Sequence, residues 1–169
     1  MTQPSRLQRT LRHLFLRRAE ATRAFPASTL DAITDAIAAG ERTHRGEVRL
    51  IVEKSLPLAL AWAGTTTRQR AVALFADYGV WDTEENCGVL LYVNLAERKV
   101  DIVADRGIDR RIAPATWQAI CDVLTRGFAR GEFEAATLAA LDQVNSLLRE
   151  HFPANGARPN ELPDAPLML

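Results

Sequence analysis

The residue types able to bind a cation or move a proton gather in three short runs of this 169-residue chain. Glu41, His44 and Glu47 form the first, Asp82, Glu84, Glu85 and Asn86 the second, and Asp105, Arg106 and Asp109 the third. Carboxylate and amide oxygens suit calcium or magnesium better than zinc or copper, which makes Asp82, Glu85, Asn86 and Asp105 the candidate metal ligands. His44 or Glu47 could serve as general acid or base, and Arg106 could neutralise charge developing on a phosphoryl group. Each run also has an ordinary explanation. An acidic turn is commonly a solvated face, and His44 could cap the carbonyl end of a helix or pair with Glu41 three residues earlier. Arg106, Arg110 and Arg111 could hold a phosphate, yet Asp105 and Asp109 are close enough to engage them in ion pairs.

Other chemistries lack their residues. Only Cys87 and Cys121 are present, with no CxxC and no histidine-rich spacing, so neither zinc nor a disulfide framework is indicated and a reducing compartment fits. Cys121 falls on an apolar helical stripe as a core thiol would, and Arg126 follows it at five positions rather than the six of a C-x5-R phosphatase loop. Cys87 has no histidine beside it to activate a thiolate. Walker, G-x-G-x-x-G, G-x-S-x-G and HExxH motifs are absent from the sequence, and no organic cofactor is expected.

Lys plus Arg equals Asp plus Glu at 21 each, so no net field draws the chain to nucleic acid. Residues 1–24 are nevertheless basic, with Arg6, Arg9, Arg12, Arg17, Arg18 and Arg23 against Glu20. Leu7, Leu11, Leu14 and Phe15 recur there at helical spacing. This basic amphipathic helix would pack on the domain or make a peripheral contact with a membrane or a protein partner. No run reaches the roughly 18 apolar residues needed to span a bilayer, and no secretory h-region is seen, so the expected location is cytoplasmic, with membrane association at most peripheral.

The elements that must position the three runs follow from periodicity. Past Phe25-Pro26, Ser28 or Thr29 could cap a helix with Leu30, Ile33 and Ile37 on one face, ending near His44. The β-branched run Val48–Val52 reads as a strand covered on both faces. Thr66 or Thr67 could cap a helix turning Ala71, Val72, Phe75 and Tyr78 inward and stopping at Gly79, before a strand over Gly88–Leu95. Strand, crossover helix and strand imply parallel pairing. The short polar run Ala96–Lys99 suits a hairpin, making Val100–Ala104 antiparallel. A helix opened by Pro114 buries Trp117, Ile120, Cys121, Leu124 and Phe128, and one after Gly131 buries Leu138, Leu141, Val144 and Leu148. Four of the eight prolines fall between Pro153 and Pro166, so residues 153–169 read as a flexible Pro-rich tail beyond a domain spanning 25–152.

This topology brings the starts of the first two strands and the end of the third to one rim, where the three polar runs would meet. Neighbouring strands lie about 4.8 Å apart, within reach of a shared ion. The general rule for open sheets favours the other rim, near Glu53–Ser55 and Asn94–Glu97, but the acidic and histidine residues are not there.

Phe25-Pro26, His44-Arg45-Gly46-Glu47, Arg68-Gln69-Arg70-Ala71 with Phe75, Trp81 to Asn86, Gly88-Val89-Leu90-Leu91 and Val103 to Ile108 occur in an order that resembles the TPM domain family, which includes YgcG-like bacterial proteins and a thylakoid-lumen acid phosphatase. The resemblance spans Phe25 to Phe152. It implies a three-layer α/β/α sandwich with a small mixed sheet, in agreement with the periodicity. It further implies calcium binding, phosphatase-like activity or membrane-protein maintenance, the phosphatase reading resting on the resemblance alone. Asn86-Cys87-Gly88 puts Cys87 where relatives commonly carry asparagine, removing one oxygen ligand. The chain shows neither the signal peptide nor the anchor with a glycine-rich tail of many relatives, as expected of a cytoplasmic branch. Three functions remain open at this point: a cation-binding accessory domain with a protein or membrane partner, a metal-assisted phosphatase, and a purely structural adaptor.

Overall fold

The computed structural model describes residues 8–9, 18–156 and 159–169. The apolar stripe expected at Leu7, Leu11, Leu14 and Phe15 lies outside the described residues. In chain order the elements are α1 (Arg18–Ala24), α2 (Ala27–Glu41), β1 (Glu47–Glu53), α3 (Leu58–Ala63), α4 (Thr67–Asp77), β2 (Gly88–Asn94), β3 (Lys99–Ala104), α5 (Arg106–Asp109), α6 (Pro114–Ala129), α7 (Phe133–His151) and β4 (Leu167–Met168).

The four strands form one mixed sheet in the order β3-β2-β1-β4. β1 and β2 are parallel, registered Glu47 to Gly88 through Glu53 to Asn94, and β3 runs antiparallel to β2 with Val89 opposite Ala104. Alternation along the strands assigns the two faces. Val48, Leu50 and Val52 of β1 and Val89, Leu91 and Val93 of β2 join Ile33 and Ile37 of α2 and the apolar stripes of α6 and α7 in the larger core. Ile51, Leu90, Tyr92 and Val103 point the other way, against Ala71 and Leu74 of α4 and Leu162. Covered on both faces, β1 and β2 are buried along their whole length, which is why each reads as a nearly continuous apolar run.

Several local features differ from expectation for identifiable reasons. α2 starts after Pro26 without a side-chain cap, and Thr29 instead donates its hydroxyl to Glu134 Oε2 at 2.5 Å, tying α2 to α7. Thr66 caps α4 through a reciprocal box with Gln69. Only the narrow stripe Thr67, Ala71 and Leu74 of that helix is buried, so Val72 and Tyr78, expected inward, face solvent at 48% and 41% exposure.

The tail expected to be flexible is held along the outer edge of β1. β4 pairs parallel to β1 at Ile51 and Val52. Because prolines remove backbone donors, this edge is closed largely by side chains. The Arg49 guanidinium donates to Pro163 O at 2.5 Å and Ala165 O at 2.6 Å, and Glu47 Oε2 accepts from Leu162 N at 3.1 Å. Leu162 itself is buried in the smaller core.

Candidate functional site

The rim formed by the starts of β1 and β2 and the end of β3 gathers the segments that carry the three polar runs. Asp105 N donates to Gly88 O at 2.8 Å, and Glu47 N to Cys87 O at 3.1 Å, so the three chain segments are stitched at the backbone. Arg45 forms an ion pair with Glu85, linking the first run to the second.

The second and third runs make one half of the rim. Thr83 is buried and organises its turn: its hydroxyl accepts from Cys87 N at 2.9 Å, and its carbonyl from Asn86 N at 3.1 Å. Asn86 takes a left-handed conformation (φ 53°), which asparagine tolerates better than most residues. Its carbonyl lies against Gly107. A Cβ at Gly107 would sit 2.5 Å from Asn86 O and 3.4 Å from Glu85 O, so glycine is what lets the turn before β2 approach the turn after β3. Asp105 caps α5, its Oδ1 accepting from Arg106 N at 2.6 Å. Its other oxygen, Oδ2, is buried without a hydrogen-bond partner, in a residue only 7% exposed. Asp82, Asn86, Arg106 and Asp109 are all open to solvent, and Glu85 is half-buried. Arg111 is drawn away to His151 O at 3.0 Å and over the Phe152 ring.

The first run makes the other half. α2 ends at Glu41, so His44 lies past the helix and does not cap it. Instead His44 is 2% exposed, bridges in strand fashion to Pro153, and places Nε2 3.1 Å from Asn145 Oδ1. The Asn145 amide nitrogen faces Ala36 O at 3.3 Å. That contact makes Oδ1 the acceptor and His44 Nε2 the donor. Nδ1 is buried beside the Gly46 backbone, a contact that favours the protonated ring. Burial, with a smaller contribution from Arg149, lowers the His44 pKa, and the ring is neutral.

Glu41, His44 and Glu47 line a cavity of about 490 Å³ together with Asn160 and Asp164 of the tail, and the Glu41 carboxyl reaches the Asp164 carboxylate. Burial is the main cause pushing the Glu41 carboxyl up to about 9, helped by the charges of Glu47 and Asp164 and by a hydrogen bond shared with the Asp164 carboxylate. The hydrogen bond from Val48 N at 2.7 Å opposes the rise. Burial raises Glu47 in the same way. Glu41 therefore holds its proton in the folded state over a range where the unfolded chain has released it. Its contribution to stability is complete below its ordinary value of 4.5 and is lost as pH rises toward about 9. Glu41→Gln mimics the protonated form, so we expect the variant to gain stability relative to the parent as pH goes from 5 to 9. Urea unfolding midpoints across that range check this, and a constant gap would refute the assignment.

Asn160 and Asp164 could not have been placed from sequence, because a proline-interrupted tail has no periodicity. Asn145 carried a legible signal: a polar residue on the stripe Leu141, Val144 and Leu148 must find a buried partner. Both thiols are interior, and burial pushes Cys121 up to about 11. Among the described residues no three His, Cys, Asp or Glu side chains come together closely enough to hold a metal ion between them.

The opposite rim is occupied by a satisfied polar network. Glu53, 2% exposed, accepts from Arg70 Nη2 at 2.8 Å and from Tyr92 OH at 2.5 Å. Beside it lies an apolar cavity of about 470 Å³ lined in part by Val93, Leu95, Phe128 and Phe133.

A mixed sheet with helices on both faces and a polar rim at the head of its parallel pair defines the class as a three-layer α/β/α domain. The chain belongs to the TPM domain family, whose model matches residues 20–147. In solved structures it is similar to the BA42 protein of the psychrophilic bacterium Bizionia argentinensis, at 24% identity and a TM-score of 0.75, over 85% of this chain and 94% of that one. It is also similar to the N-terminal domain of a P. gingivalis protein, at 16% identity and a TM-score of 0.57, over 92% and 100% of the two chains. These likenesses carry the fold. No curated protein matches the chain. No described helix is long and apolar enough to cross a membrane.

Proposed function

We propose that this TPM domain is a noncatalytic accessory module that takes a divalent cation, calcium or magnesium, at the Asp105 rim and presents the occupied rim to a protein or membrane partner. The observation that carries the reading is Asp105 Oδ2, a buried carboxylate oxygen without a donor. A buried unpaired carboxylate oxygen is costly, and a cation is one of the few groups that offsets it. Calcium accepts backbone carbonyls and a loose, irregular shell, which suits a rim with the Glu85 and Asn86 carbonyls beside the Asp105 turn. The side chains of Asp82 and Asn86, neither of them buried, have room to move inward, and Glu85 can join by leaving Arg45. Trp81, 53% exposed next to Asp82, offers a partner an apolar contact. The burial of both thiols supports an accessory role over covalent catalysis.

With so few committed carboxylates, affinity should be weak, on the order of 10⁻⁴–10⁻³ M. Titrating calcium against amide chemical shifts should move residues 82–86 and 104–107. Asp105→Asn keeps the cap on α5 but removes the charge, and should abolish the shifts. Silence of both segments at saturating millimolar calcium, or unchanged shifts in Asp105→Asn, would sink the proposal.

A further inference from the structure

Helix α3 follows the end of β1, whereas Asp105 is bonded to Gly88 at the head of β2, so the two lie at opposite ends of the parallel pair. We propose that the exposed apolar face of α3 docks onto the surface of an anionic lipid bilayer, so that the domain rests on the membrane through α3 and holds the Asp105 rim toward solution. This names one partner of the accessory module, and it stands whether or not a cation occupies the rim.

The argument begins with the composition of the helix. α3 reads Leu-Ala-Leu-Ala-Trp-Ala, apolar at every position but for the indole N–H of Trp62. A helix apolar all round is ordinarily buried, and α3 is not. Ala61 is its one buried residue and Leu60 is half-buried, while Leu56, just ahead of the helix, anchors the segment in the interior. Leu58, Ala59, Trp62 and Ala63, at i, i+1, i+4 and i+5, share the outer face, with Leu58 46% and Trp62 57% exposed. Leu169 adds to the same end of the sheet: its N–H donates to Val52 O at 2.9 Å, its carbonyl accepts from Lys54 N at 3.0 Å, and its side chain is exposed. Neither cavity described above is lined by a residue of α3, so the face offers an apolar contact area rather than a socket for one side chain. Tryptophan suits such a place, with its ring in hydrocarbon and its N–H among wet headgroups.

Charge selects the occupant. From Lys54 to Ala76 the chain contains Lys54, Arg68 and Arg70 and no Asp or Glu. The carboxylates of Glu53, at the end of β1, and Glu97, in the turn between β2 and β3, are held by Arg70 and Arg9. Arg98 and Lys99 follow Glu97 and are exposed. Arg9 also donates to Thr65 O at 2.6 Å, just past α3, and in the sequence Arg6 and Arg12 stand three residues to either side of it. Cations in excess around an apolar, tryptophan-bearing helix complement anionic headgroups lying over hydrocarbon. A second copy of the chain presenting the same face would set those like charges against each other.

Co-sedimentation of the full chain with vesicles of phosphatidylcholine mixed with phosphatidylglycerol tests the proposal, and a chelator in the buffer keeps the outcome independent of the divalent-cation rim. We expect binding that weakens as salt is added, a blue shift of tryptophan emission on binding, and much weaker binding to phosphatidylcholine alone. Trp62→Ser should weaken binding about tenfold or more and remove most of the blue shift. Trp62 is exposed, so the variant is expected to fold like the parent. Trp81→Ser, an exposed tryptophan beside Asp82 at the other rim, should bind like the parent. No binding to the mixed vesicles, equal binding to phosphatidylcholine alone, or parental binding by folded Trp62→Ser would overturn the proposal. So would a parent dimer in sedimentation velocity that Trp62→Ser dissociates, since a second copy would then be the occupant.

Discussion

Glu53→Ala is expected to destabilise the domain by about 3–5 kcal/mol, the cost of removing one partner from a buried ion pair. Glu53 sits at the end of β1 and is the common acceptor for Arg70 of α4, through Nε at 3.1 Å and Nη2 at 2.8 Å, and for the Tyr92 hydroxyl of β2. Asn94 Nδ2 donates to Tyr92 OH at 2.8 Å, and Asn94 Oδ1 accepts from Glu97 N at 2.9 Å, so the hairpin entering β3 is anchored to the same network. Alanine would leave the Tyr92 hydroxyl, in a residue with no exposed surface, short of an acceptor and Arg70 without its counter-charge. Glu53→Gln keeps both hydrogen-bonded neighbours and loses only the charge, so its cost should be nearer 1–2 kcal/mol, a range we take as about the worth of a charge-assisted bond. Urea unfolding of the two variants distinguishes them. Equal, small losses would mean that the network is dispensable.

Gly88→Ala should be comparably damaging, at about 3 kcal/mol or more, for a reason of space alone. Gly88 opens β2, and a Cβ there would lie 1.8 Å from Val80 O and 2.9 Å from the Val80 carbonyl carbon. The obstruction is backbone, which has no rotamer to change. Relief requires shifting either the turn after α4 or the start of β2, and Gly88 O is the acceptor for Asp105 N. The variant is thus expected to lower stability and also to displace Asp105, so its calcium-dependent shifts should fade even at temperatures where it remains folded. A Gly88→Ala protein with parental stability would contradict the packing described here. Gly88 was legible as the head of a strand, but nothing in the sequence identifies Val80 as the group it touches.

That contrast runs through the molecule. The parallel pair, the returning third strand and the two long covering helices were readable because each is encoded locally: β-branched runs at Val48–Val52, a four-residue polar turn at Ala96–Lys99, and apolar residues at helical spacing around Trp117 and Leu141. Sheet direction followed, and with it the meeting of Glu47, Asn86 and Asp105 at one rim. The details of that rim were not readable. That Asp105 Oδ2 lacks a donor, and that the turn before β2 lies against the turn after β3 through Asn86 O and Gly107, two residues 21 positions apart in the chain, appear only in the packed structure.

The sequence by itself determined the order and direction of the central strands, the identity of the helical faces, and the family. Tertiary structure alone decided that a proline-rich tail closes the outer edge of β1, that His44 turns to Asn145, and that Glu41 shares a cavity with Asp164. Periodicity is a property of consecutive residues and survives in the written chain. The protonation and partnership of a buried polar group depend on solvent exclusion and on atoms supplied by distant segments, which exist only once the chain has packed.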